Sequence, residues 1–260
     1  MSVVMRIATV RASMAMHALY VESGPQRKST LVHVLDLLGC VVFGRTTNDA
    51  LAAAPEEIRL YLRYLARHGE AVDPQEKIEA AVAEHITKGD IIGRGASDIV
   101  FAPERVPFGA AQLAQYLRWL EWSRADLLKL VKAIDAKTLA KKPSEGRSLR
   151  DILLHVLEAD MGYVYAALGP VKEVGEPARA ALRGDLDLRV ALGEERDAAI
   201  ARLRAATPAE RVAARGPRND RTTFRRALRR MLEHEWEHRR EIERRLSGVP
   251  DRGPRAPTRR

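Results

Sequence analysis

The sequence predicts an α+β N-terminal domain followed by an all-α four-helix bundle of the up-and-down type. Residues 1–88 mix short apolar runs of strand length with helical spacings, the pattern of a small α+β unit. Residues 89–107 are rich in Gly and Pro, which indicates a linker. From residue 108 onwards apolar side chains recur at helical spacing, and this predicts a bundle over 108–247.

In the N-terminal domain, a series of strands is expected to precede two helices. Its strand-like apolar runs lie at 5–10, 15–21, 30–38 and 40–43. Thr46 begins an N-cap sequence for a helix that ends near residue 68, with a kink or restart expected at Pro55. A second helix is expected over 74–86, and 99–101 is a candidate last strand.

The bundle is expected to consist of four helices of about twenty residues each. They are predicted at 109–133, 149–168, 186–206 and 223–246. Ser148 is a candidate N-cap for the second of them. A long connection is expected over 170–184, an Arg-rich loop over 211–220, and a basic flexible tail over 248–260.

The composition indicates the cellular compartment and whether a membrane is a partner. The chain has 260 residues, a formal net charge of +9 and a single cysteine, Cys40. One cysteine cannot form an internal disulfide, which favours a reducing compartment and predicts a cytoplasmic protein. No apolar run approaches the ~18 residues that a transmembrane helix requires, so no membrane partner is expected.

The positive charge is concentrated in the second half, where residues 105–260 carry 33 basic and 22 acidic side chains. A basic domain suggests nucleic-acid binding as one hypothesis. On the last helix, however, Arg and Glu are interleaved over 229–245, which favours a solvated, ion-paired helix. Nucleic-acid binding is therefore disfavoured.

Three histidines form the strongest chemical signal. His234 and His238 are four residues apart on the last helix, so they project from one face about one turn apart. The pair lies beside the apolar positions of that helix, and His155 lies beside the apolar stripe of the second helix. Three imidazoles from two facing helices would form a tri-histidine metal site with open coordination positions. The alternative is that these histidines are hydrogen-bonded or solvated boundary residues.

The segment from His234 to His238 also fits the H-E-x-x-H pattern of zinc proteases, with Glu235 as the general base. Only 22 residues follow His238 to supply a third ligand, and no sheet is expected beside this helix, so this alternative is disfavoured. Four glutamates are candidates to orient the imidazoles, although exposure on the surface is the commoner fate. They are Glu158, Glu235, Glu237 and Glu241.

Residues 148–160 and 230–242 resemble the second and fourth helices of the DinB-like superfamily of metal-binding four-helix bundles. The fourth-helix signature is His-x3-His followed by a basic residue and an isoleucine, and the resemblance covers about 108–247. It implies that His155, His234 and His238 are the metal ligands. Imidazole-rich sites suit zinc or nickel, with iron or manganese as further candidates.

Residues 28–75 resemble the HicB-like antitoxin domain. The resemblance rests on a strand that ends in D-L-x-G-C, a return strand, then G-x-T and a helix of the E-A-L type, matched here at 36–51. It implies a partial ribonuclease-H-like fold without the nuclease carboxylates.

Two functions from different classes follow. The first is a divalent-metal-dependent hydrolase or thiol transferase acting on a small molecule through the tri-histidine site, with catalysis itself left open by the sequence. The second is a non-catalytic HicB-like regulatory or interaction protein that uses the bundle as a dimerisation scaffold. A homodimer is the candidate assembly in both cases.

Overall fold

The computed structural model describes residues 14–88, 99–213 and 222–248. The apolar run at 5–10 therefore lies outside the described residues, as do most of the Arg-rich loop and the tail from residue 249. Within the described part, none of the helices combines the length and the apolar character needed to cross a membrane.

The N-terminal half contains a four-stranded sheet in the order β3-β2-β1-β4. The strands are β1 Met14–Ser23, β2 Lys28–Val34, β3 Cys40–Thr46 and β4 Lys77–Ile86. β2 pairs antiparallel with both β1 and β3, whereas β4 pairs parallel with β1. The strands expected within 15–21, 30–38 and 40–43 are confirmed, but the helix expected over 74–86 is wrong. Ala and Glu favour a helix there in isolation, and pairing with β1 overrides that local preference.

One long helix, α1 Thr47–Arg67, connects β3 to β4. Thr46 and Asp49 form a capping box at its start, which stabilises the first turn. The helix continues through Pro55, so the restart expected there does not occur. Ala54 and Ile58 on either side are fully buried, and this packing holds the helix together across the proline.

The C-terminal half contains the four long helices that the sequence predicts. They are α2 Ala110–Lys132, α4 Leu149–Leu168, α6 Leu188–Arg204 and α8 Phe224–Leu246. Among the described residues of this half, three shorter helices accompany them: α3 Ala136–Ala140, α5 Lys172–Arg183 and α7 Pro208–Val212. The long connection expected over 170–184 is therefore wrong. Val174, Ala178 and Ala181 of α5 are buried, and this burial stabilises a helix despite its internal Pro177.

An apolar core runs from the sheet into the bundle. Tyr61 of α1 packs against Trp119 of α2 and Trp236 of α8, with ring centroids 6.4 Å and 5.0 Å away. The candidate strand at 99–101 is wrong: Phe101 is instead a buried residue that precedes a 3-10 turn over 102–105. The described part of the segment between the halves, from residue 99 onwards, thus contributes to the core.

The expectation of a solvated last helix is also wrong, because α8 buries many of its charged side chains. These are Arg226, Arg229, Arg230, Glu233, Glu235 and Arg239. Buried charges persist only when they are paired and hydrogen-bonded. α8 is therefore a central helix whose charges are satisfied inside the protein.

Candidate metal centre

Two helices position the three histidines. Ser148 and Asp151 form a capping box that begins α4, and His155 lies in the second turn. Thr223 caps α8 by accepting a hydrogen bond from Arg226 N. His234 and His238 follow one turn apart in the middle of α8, which packs against α4.

The three imidazoles meet between α4 and α8. His234 Nε2 lies 3.1 Å from His155 Nε2 and 3.2 Å from His238 Nε2. One ligand atom from each histidine lies within 4.8 Å of the others. The structure therefore brings together all three residues that the sequence singled out.

The arrangement fits a small divalent ion. Imidazole nitrogens bind zinc at about 2.0–2.1 Å, so nitrogens that share one ion lie roughly 3 Å apart. A neutral imidazole has only one N–H, so three facing Nε2 atoms cannot all be satisfied by one another. The buried Nδ1 of His234 has no hydrogen-bond partner, which leaves this imidazole without an orienting bond on its other side.

The surroundings keep the central imidazole uncharged. Burial lowers the pKa of His234 well below its ordinary value, and the neighbouring His238, Arg230 and His155 add to this effect. Metal ions bind the neutral form of histidine. His234 therefore stays in this neutral form down to a lower pH than an ordinary histidine does.

Residues 120–242 match the family model of the DinB superfamily. This superfamily is generally metal-binding, and the matched segment contains all three histidines. No curated protein and no solved structure matches the chain. The match begins in α2, so no comparison supports the HicB-like resemblance of the sheet.

One carboxylate orients a histidine of the matched segment. Glu241 Oε2 lies 3.0 Å from His238 Nδ1. Burial favours a higher pKa for Glu241, but the hydrogen bond to His238 and the charge of Arg245 outweigh it, so the pKa of Glu241 is lowered. An ionised Glu241 fixes the His238 tautomer with Nε2 facing the other two imidazoles.

The other three candidate glutamates have different surroundings. Glu235 is fully buried and pairs with Arg124 and Arg196, so its contacts do not support the role of protease general base. Glu158 is exposed, as expected, whereas Glu237 is half-buried. Burial raises the pKa of Glu237.

Two residues beside the histidines were missed by the sequence analysis. The Tyr163 ring lies 5.9 Å from the His234 ring, between centroids. Its hydroxyl oxygen is 3.5 Å from Arg230 Nη2, which can donate to it. Tyr163 is eight residues after His155 and Arg230 is four before His234, so helical spacing could have identified both.

Lowering the pH from about 7 to about 5 is expected to destabilise the metal-free protein through His234. Its pKa in the folded protein is held well below 6.5, so the unfolded chain takes up a proton that the folded chain does not. Its contribution to the free energy of unfolding is therefore present above about pH 6.5 and lost as the pH falls, by at most ~1.4 kcal/mol per pH unit.

Urea unfolding of the wild type and of His234→Gln across this pH range measures the effect. The wild type should lose stability more steeply with falling pH than the variant. Titrating groups remote from His234 contribute to both proteins and largely cancel in the comparison. If the free energy of unfolding fell equally steeply with pH in both proteins, a lowered pKa of His234 would be contradicted.

Proposed function

We propose that this chain binds a divalent metal ion through His155, His234 and His238, and uses it to transform a small molecule. The observation that carries the proposal is the convergence of the three Nε2 atoms, 3.1 Å and 3.2 Å from one another along the His155–His234–His238 series. Zinc and nickel are the preferred ions, with iron and manganese next. The match of residues 120–242 to a generally metal-binding superfamily supports it.

The proposed chemistry is hydrolysis or thiol transfer. A divalent ion lowers the pKa of a water or thiol bound in its open positions. The chain contributes an oriented imidazole, because Glu241 holds His238. It also contributes Tyr163, whose ring lies 5.9 Å from the His234 ring and whose hydroxyl lies 3.5 Å from Arg230 Nη2, as a candidate hydrogen-bonding group for a substrate.

The proposal also covers the cellular compartment and the oligomeric state. We place the protein in the cytoplasm because its one cysteine, Cys40, is buried in the sheet core and takes no part in a disulfide. A homodimer is the proposed assembly, and light scattering after size-exclusion chromatography tests it. A small molecule is the proposed substrate, with neither a membrane nor a nucleic acid as partner.

Metal analysis of the purified protein tests the proposal. We expect close to one zinc, nickel, iron or manganese ion per chain, and a rise in melting temperature when one of these ions is added to the metal-free protein. His68 lies away from the site, stacked on Trp122, so His68→Ala serves as a histidine control that should bind metal normally. No bound metal and no thermal shift with any of these ions would refute the proposal.

A further inference from the structure

Five charged side chains from the four long helices form a buried cluster in the bundle interior. Each is less than 3% exposed. They are Arg124 of α2, Asp160 of α4, Glu195 and Arg196 of α6, and Glu235 of α8.

Two arginines of this cluster bridge the same two carboxylates. Arg124 Nη2 lies 2.6 Å from Asp160 Oδ2 and 2.7 Å from Glu235 Oε2. Arg196 Nη2 lies 2.5 Å from Asp160 Oδ2 and 2.8 Å from Glu235 Oε2. The carboxylates belong to α4 and α8, whereas the arginines belong to α2 and α6.

The two bridged carboxylates lie on the helices that carry the histidines. Asp160 is five residues after His155, and Glu235 is the residue directly after His234. Successive residues of a helix point about 100° apart, so Glu235 can face the bundle interior while His234 faces α4. The cluster and the histidine site therefore lie on different sides of the same helix pair.

Each arginine also donates a hydrogen bond to a backbone carbonyl of the helix that carries the other arginine. Arg196 Nη1 donates to the Leu120 carbonyl, 3.0 Å away, and Arg124 Nη1 donates to the Leu192 carbonyl. Burial raises the pKa of the fifth member, Glu195, to about 8, so its carboxyl group is largely neutral near pH 7. Burial also raises the pKa of Asp160, and the charges of Arg196 and Arg124 oppose that rise.

From this geometry we infer that Arg124 and Arg196 are positioning residues of the histidine site. Asp160 and Glu235 would repel each other across the α4–α8 contact if nothing neutralised them. The two guanidinium groups draw them together and thereby fix the spacing and register of α4 against α8. The same register sets the distance between His155 and the pair on α8. This inference rests on the proposed metal-binding function.

Substitution of Arg124 by lysine tests the inference. Lysine keeps the positive charge, but its ammonium lacks the planar fork that reaches two carboxylates at once. We expect Arg124→Lys to fold and to bind Co²⁺ or Zn²⁺ about 2–30-fold more weakly than the wild type, the range typical of residues that influence a site without contacting its ligand. The visible absorption of the Co²⁺ form should also change, because it reports ligand geometry directly.

A matched control separates positioning from general loss of stability. Glu104→Gln weakens a different buried ion pair on α8, in which Glu104 Oε1 lies 2.7 Å from Arg229 Nε, and that pair does not join α8 to α4. It should lower the melting temperature but leave Co²⁺ affinity and spectrum unchanged. Asp160→Asn is the second test variant, and it should weaken metal binding as Arg124→Lys does.

The outcomes are distinct. Weaker binding and an altered spectrum in both cluster variants, with a normal control, support the inference. Wild-type affinity and spectrum in folded Arg124→Lys and Asp160→Asn overturn it while leaving the proposed function intact. A wild-type protein that binds neither ion overturns both.

Discussion

His238→Ala should abolish tight zinc binding while leaving the helical content unchanged. The variant removes one of three converging imidazoles, and two nitrogens hold a divalent ion far less well than three. Wild-type protein should gain about 2.7 kcal/mol of unfolding free energy at a zinc concentration 100-fold above its dissociation constant, and about 4.1 kcal/mol at 1,000-fold. The variant should gain almost nothing. Urea unfolding with and without zinc measures the difference.

Glu241→Gln provides a graded control for this prediction. It keeps all three imidazoles but weakens the bond that orients His238. Loss of such a bond typically lowers metal affinity by about 10–100-fold, so its zinc-dependent gain should lie between those of the wild type and His238→Ala. Equal zinc stabilisation of all three proteins would show that His238 is not a ligand.

The histidine site was accessible to sequence reasoning because its geometry is mostly local. His234 and His238 are one helical turn apart, a spacing that depends on nothing outside α8. His155 needed only the assumption that α4 faces α8, which the apolar stripes of both helices indicate. Glu241 was one of four candidate glutamates, and only the folded structure distinguishes it from Glu235.

The features that sequence reasoning missed depend on long-range contacts. β4 has a helix-favouring composition, yet it is a strand because β1 supplies a parallel partner. Arg229 and Glu233 have the spacing of a surface ion pair on a helix, yet both are buried. They pair with each other, but each also has a distant partner: Glu104 lies 125 residues from Arg229, and His33 lies 200 residues from Glu233. No periodicity in the sequence indicates these distant partners.

Arg229→Met is expected to lower the free energy of unfolding by about 3–5 kcal/mol. Arg229 is buried and pairs with Glu104 Oε1 at 2.7 Å and with Glu233 Oε2 at 3.1 Å. Its loss leaves Glu104 without its ion-pair partner and Glu233 with fewer partners, since Glu233 still contacts His33 at 2.7 Å. Chemical denaturation of the metal-free protein measures the change.

Arg118→Met is the matched surface control for Arg229→Met. Arg118 is about half exposed and lies 3.6 Å from Glu70, so its loss should cost less than ~1 kcal/mol. The double variant Arg229→Met/Glu104→Gln should recover part of the lost stability, because it removes a buried charge together with its partner. A cost for Arg229→Met as small as that of Arg118→Met would contradict the prediction. The full cost with partial recovery would show that buried charges, besides the shared apolar core, attach the sheet and the 102–105 turn to the helix that carries His234 and His238.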